Sequence, residues 1–276
     1  MGFLKKLFDF YLSASLHVAL SSMALVLITR QMFGFEMASS VPLFVFFGTV
    51  AGYNFVKYDA IARTAKKEPV FRVKAIAFLS LASLLAAGYF FLQLQRTTQA
   101  ACTFFAALTI LYTLPFFPNR KNARNWAGVK IYIVSLCWAG VTVLMPVLDA
   151  DASLHHFMEW DVYLKFVQRF VLVFVLVLIF EIIDLAKDDP HLHTVPQQIG
   201  VRRTKWLGFG LLIPFYLLEL LQQRVDAGRL WINLAMVLIL VLFLAFANEK
   251  KSRYYAAFWV EAIPILWWVL IFLFQF

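Results

Sequence analysis

Charge is scarce in this chain. Only 15% of its 276 residues are Asp, Glu, Lys or Arg, and 62% are hydrophobic; soluble domains average about 25% charged. Cysteine is scarcer still. Cys102 and Cys137 each sit in an apolar run, so they read as buried free thiols and exclude a disulfide framework or a thiolate metal site. With 9 prolines and 11 glycines there is no collagen repeat, low-complexity tract or linker. What is abundant is aromatic side chain: 30 Phe, 10 Tyr and 8 Trp, more than one water-facing domain can bury. The composition is that of an integral membrane protein. The net charge of +9 calls for no nucleic acid, because cytoplasmic loops of membrane proteins collect Lys and Arg.

A helix needs about 20 mostly apolar residues to cross the hydrocarbon core. That ruler predicts nine spans, at residues 9–31, 40–58, 74–94, 98–116, 130–148, 163–185, 205–222, 230–247 and 255–275, in a single all-α domain, 1–276. The first run follows Lys5 and Lys6 as a signal peptide would, but it is longer and lacks a cleavage site. With the N-terminus inside, most basic residues fall on inner connections, among them Lys57, Arg120, Lys121, Arg124, Lys130, Arg202, Arg203 and Lys250. The outer side receives Arg30, Arg96, Lys165, Arg169, Arg224 and Arg229, and its longest loop is acidic. The expected topology is a cytoplasmic N-terminus and an outside C-terminus.

Acids at membrane depth are costly and therefore informative. The sixth predicted span runs as hydrocarbon from Phe170 to Phe180 and then reads Glu181-Ile-Ile-Asp184-Leu-Ala-Lys-Asp188. If the helix continues to Asp188, Asp184 and Asp188 share a face one turn apart, with Glu181 a turn deeper. Such oxygens at a water boundary suit a hard cation such as Mg2+, which also binds phosphates; a solvated helix end pairing with Lys187 or Arg202 is the plainer alternative. His17 within the first span reads as an interhelical hydrogen-bonding residue. Glu219 reads as hydrated near its interface, Trp267-Trp268 as an interfacial aromatic pair, and Glu261 has no assigned role.

Asp184-Leu-Ala-Lys-Asp188, followed by Thr194-Val-Pro196 and Ile199-Gly200, resembles the second aspartate motif of the UbiA-type intramembrane prenyltransferases. Leu111-Tyr-Thr-Leu-Pro115, with Lys130 opening the fifth span, is similar to that family's tyrosine–proline element and the lysine that follows it. The resemblance extends over the whole chain. It implies a UbiA-like bundle that moves an isoprenyl group from a polyprenyl diphosphate to a lipophilic, aromatic-type acceptor within the bilayer. Asp184 and Asp188, supported by Glu181, would hold Mg2+; Asn54, Lys57 and Lys130 would face the diphosphate, and Tyr112 would line the cavity near the reacting carbon.

The first aspartate motif is altered. The family pattern N-D-x-x-D-x-x-x-D falls on Asn54 to Ala62, where Phe55, Tyr58 and Ala62 stand in place of the acids and Asp59 is displaced by one residue. Two readings follow. Lys57 sets an ammonium against the phosphate in place of a metal, leaving a single Mg2+ site; or the half-site is lost, and the protein binds isoprenoid lipid or assists another membrane enzyme. A transporter built on Glu219 and Glu261 is a third class, but the chain lacks repeated broken helices.

Overall fold

A computed structural model describes residues 2–36, 38–63, 70–113, 128–151, 155–186, 192–223 and 225–274, with side chains omitted at 59–63, 70, 112, 113 and 156. The described residues are helical and contain no strand. In order the helices are α1 (Phe3–Ser13), α2 (Leu16–Phe33), α3 (Ser40–Arg63), α4 (Val70–Phe91) and α5 (Arg96–Thr113). Next come α6 (Val129–Ala139), a π-helical turn (Gly140–Leu144), α7 (Met145–Ala150), a short 3-10 turn (His156–Met158) and α8 (Trp160–Asp184). The chain closes with α9 (Val195–Leu220), α10 (Ala227–Phe246), a second π turn (Tyr255–Val260) and α11 (Ile263–Phe274).

Where the residues are described, each predicted span falls on helix, either a single helix or one interrupted by a break or a π turn. Among the described residues six segments are long and apolar enough to cross a membrane: Leu16–Phe33, Phe71–Phe91, Val129–Ala150, Trp160–Asp184, Ala227–Phe246 and Tyr255–Phe274. The helices α3, α5 and α9 carry polar ends that dilute them, such as Arg202, Arg203 and Lys205 near the start of α9. The centre is α8. Its Leu172, Val175, Ile179 and Ile182 are fully buried against α2, α9, α10 and α11, as expected of a helix apolar on all sides. By contrast α4 exposes Phe78, Leu81 and Leu85, a face that only lipid can cover once the helix is in a bilayer.

The structure corrects four expectations. First, the opening span is broken: α1 and α2 meet at Ala14–Ser15, where Ser15 takes φ +59°. Ser15 makes no side-chain cap, and the break is held by Asn54, whose amide donates to Ala14 O at 3.1 Å. Second, Lys165 and Arg169 are not outer-loop charges. Lys165 is 4% exposed and pairs with Glu219 at 2.5 Å, while Gln168 donates to the same carboxylate oxygen at 3.0 Å. Third, Glu219 is accordingly buried in that ion pair rather than hydrated. Fourth, Trp267 is no interfacial residue: it is 1% exposed, edge-on to Phe215, with the Arg169 guanidinium 5.5 Å from its ring centre.

Arg169 shows why such a cation can be buried. Its Nη1 donates to Leu25 O at 3.0 Å and Thr142 Oγ1 at 3.2 Å, so neutral acceptors replace water. The π turn supplies the Thr142 acceptor, and its first residue must be glycine. A Cβ on Gly140 would fall 1.9 Å from the Phe105 ring. His17 behaves as expected: the Tyr11 hydroxyl donates to Nδ1 at 2.7 Å, and Nε2–H donates to Phe258 O at 2.9 Å across to the second π turn.

Candidate functional site

Three helix ends meet where the acids were singled out. The start of α6 and the end of α8 are pinned by a small apolar cluster of Ile131, Phe174 and Leu178, with Val195 of α9 packed against it. This puts Lys130, next to Ile131, at the same end of the bundle as Asp184. Gly128, at φ +71°, precedes α6 and faces Gln198 of α9, whose Nε2 would lie 3.6 Å from an added Cβ. Tyr132 lies edge-on to Phe174 at 5.3 Å and extends the contact between α6 and α8.

Glu181 ties α8 to α9. It is 3% exposed, and its Oε2 accepts from the backbone N–H of Val195 at 3.0 Å. That places a carboxylate at a helix N-terminus, where unsatisfied N–H groups carry roughly half a positive charge. The α9 start is further fixed by Thr194 N–H donating to Gln197 Oε1 at 2.9 Å, and Pro196 fits a first turn that needs no donor there. Asp184 is half-buried and is the last residue of α8. α8 ends at Asp184, Leu185 and Ala186 follow as a turn, and Asp188 lies outside the described residues. The side chain of Tyr112 also lies outside them.

Asn54 and Lys57 turn toward the α1–α2 break. Asn54 is 2% exposed, and its amide donates to Ala14 O and to Ser80 Oγ at 3.0 Å. Lys57 Nζ donates to Ser13 O at 3.1 Å and lies within electrostatic reach of Glu261. Phe55, at the position of a family acid, is 57% exposed, and Tyr58 is half-buried. Sequence reasoning missed one pair here. Trp138 Nε1 donates to the Tyr53 hydroxyl at 3.0 Å, joining α3 to α6 two turns beyond Lys130. Tyr53 stands one helical turn before Lys57, a spacing that marks the shared face, but in a chain 17% aromatic it carried no distinguishing signal.

Comparison with known proteins decides the architecture. The structure is similar to a UbiA homolog from Aeropyrum pernix K1 in its apo form, with a TM-score of 0.69 over 95% of this chain and 99% of that one, at 14% identity. This chain has the UbiA fold. It is also similar to digeranylgeranylglyceryl phosphate synthase, with a TM-score of 0.57 over 98% of this chain and 96% of that one, at 13% identity. No protein-family model and no curated protein sequence matches the chain.

The ends of α8 and α3 differ in the donors they offer a metal. Among the described residues no three His, Cys, Asp or Glu side chains cluster to hold one. At the α8 end the donors are carboxylates, Asp184 from the structure and Asp188 from the sequence, and oxygen-only donors fit one hard cation. Glu181 already accepts from α9 and so braces this end. At the α3 end Phe55 and Tyr58 bring no carboxylate, and the side chain of Asp59 lies outside the described residues.

Proposed function

We propose that the chain transfers an isoprenyl group from a polyprenyl diphosphate to a lipophilic, aromatic-type acceptor. The observation that carries this reading is the convergence of Lys130, Asp184 and the Glu181-bound start of α9 at one end of a UbiA fold. The topology that goes with it has nine crossings in a single domain, the N-terminus in the cytoplasm and the C-terminus outside, so this end faces the cytosol. In the reaction the bond between the allylic carbon and the diphosphate oxygen breaks. A nucleophilic atom of the acceptor bonds to that carbon, the acceptor loses a proton, and pyrophosphate leaves.

The residues divide the work by charge. Lys130 sets an ammonium against the diphosphate oxygens as negative charge develops on them. Asp184 and Asp188 would hold a single Mg2+, which when bound neutralises the leaving group. Glu181 keeps the start of α9 in place behind them. Tyr53 and Trp138 offer ring faces to an allylic cation, and Tyr112, from the sequence, joins them at the cavity wall. The second reading, a relative that binds isoprenoid lipid without turning it over, is favoured by Phe55 and Tyr58, which carry no carboxylate near the end of α3.

Pyrophosphate release separates the two. Purified protein given Mg2+ and isoprenyl diphosphates of graded length, with aromatic acceptors, is expected to release pyrophosphate. Asp184→Asn is expected to lower the rate by about 100-fold or more while leaving the thermal unfolding midpoint in place. Release from no donor, with saturable donor binding, would instead establish the lipid-binding reading. Undiminished release from Asp184→Asn would remove the metal role.

A further inference from the structure

A second polar site lies at the basic end, away from α6, α8 and the start of α9. It is a pocket of about 110 Å3 between α1, α3 and the second π turn, lined by Asp9, Leu12, Ser13, Lys57, Arg253 and Ala257. The helix that roofs it is sharply two-sided. Lys5, Lys6, Asp9 and Ser13 share one arc of α1, while Phe3, Leu4 and Leu7 are exposed on the other. A short helix of this kind lies in the membrane interface with its apolar arc among the acyl chains.

Cations from three separate elements converge on the polar arc. Arg253 donates to Asp9 Oδ1, and the Tyr254 hydroxyl donates to the same oxygen at 2.7 Å. From α4, Arg72 donates to Asp9 O at 3.1 Å and to Ser13 Oγ. From α3, Lys57 donates to Ser13 O at 3.1 Å. Among the described residues the acids near them include Asp9 itself and Glu261, one turn beyond Ala257 and within electrostatic reach of Lys57. Three cations thus gather on the polar arc of α1, and the carboxylate at the pocket wall is carried on a short surface helix.

We propose that this pocket binds the phosphomonoester head of an anionic membrane lipid, and that Asp9 holds the place of that phosphate when no lipid is bound. A guanidinium takes a carboxylate or a phosphate with the same pair of parallel N–H groups, so one anion replaces the other without rebuilding the site. A phosphate brings three acceptor oxygens where Asp9 presents one to both Arg253 and Tyr254. Arg253 is 58% exposed, so a head group reaches it without crossing the bundle, while its acyl chains lie beside Phe3, Leu4 and Leu7. Basic pockets between membrane helices bind anionic head groups in this way. The site does not depend on prenyl transfer: a chain with no transferase activity keeps it.

The test is titration of the full chain in detergent with dihexanoyl phosphatidic acid, dihexanoyl phosphatidylcholine and inorganic phosphate, read by calorimetry. Phosphatidic acid is expected to bind saturably, about tenfold or more tighter than either of the others. Arg253→Gln is expected to weaken it about tenfold, with Arg253→Lys in between because it keeps charge and loses the fork. Asp9→Asn is the decisive variant. It removes the internal competitor and is expected to tighten phosphatidic acid several-fold, whereas a merely structural Asp9 would weaken it or leave it unchanged. Weaker or unaltered binding by a folded Asp9→Asn protein, or equal binding of the two lipids, overturns the proposal. Inorganic phosphate matching phosphatidic acid overturns the lipid assignment, because the tail then contributes nothing.

Discussion

Lys165 and Glu219 form a pair whose two members have unequal meaning when mutated singly or together. Both are under 5% exposed and share Gln168 as a third polar partner. Two charges withdrawn from water regain their hydration energy only through each other and their hydrogen bonds, so the pair as a whole contributes little net stability. Removing one partner leaves the other charged and unanswered. Lys165→Met is therefore expected to destabilise the protein by about 3–5 kcal/mol, while Lys165→Met/Glu219→Leu is near neutral or stabilising. Thermal unfolding in detergent measures both; a double variant as damaged as the single one would show that the pair itself is required. The sequence displayed both residues but not their partnership. Lys165 counted as an outer charge and Glu219 as a hydrated acid, because a contact across 54 positions leaves no local trace.

At the scale of the element, α1 is the part least legible in sequence and most open to control. The run over residues 9–31 reads as one long span, and nothing in its periodicity marks a break at Ala14–Ser15. The break is made elsewhere, by Asn54 and Lys57 of α3 taking the carbonyls of Ala14 and Ser13. α9 illustrates the opposite error. Its opening turn, Val195 to Ile199, lies outside the predicted span yet forms helix, with Glu181 and Gln197 answering the N–H groups at its start, before a break at Gly200 (φ +80°) leads into the longer run. The attachment of α1 also titrates. The Tyr254 hydroxyl first, and then the Arg253 charge, hold the Asp9 carboxyl below the usual carboxylate range, with Lys5 adding to the effect. A depressed carboxyl contributes to docking above its ordinary pKa and loses that contribution as pH falls through its lowered value. A fluorophore on Leu7→Cys is therefore expected to report a docked α1 at neutral pH and release only below the normal carboxylate range of about 4. In Asp9→Asn that acid transition is absent; its persistence would assign the titration to another group.

For the whole molecule, the deciding physical fact is that charge is segregated by end. The bilayer penalises ions in its core, so the spans are mostly apolar and their few charges, such as Arg169, are answered inside the bundle; this is why the helical segments were legible from composition. What composition did not give is which helix ends meet, since Lys130, Asp184 and Val195 are brought together only by the packing of Ile131, Phe174 and Leu178. The same segregation makes the orientation testable. Lys5 and Lys250 belong to the basic end and Arg96 to the opposite one, so an odd number of crossings must separate Arg96 from both. In a background with Cys102 and Cys137 replaced by Ala, single cysteines at Lys5 or Lys250 are expected to react with a membrane-impermeant maleimide only after the cells are opened. Cysteine at Arg96 is expected to react in intact cells whose outer face the reagent can reach. Labelling of Lys5→Cys and Arg96→Cys from the same side would break the alternation of spans. It would also remove the support for the cytosolic placement proposed for the junction of α6, α8 and α9.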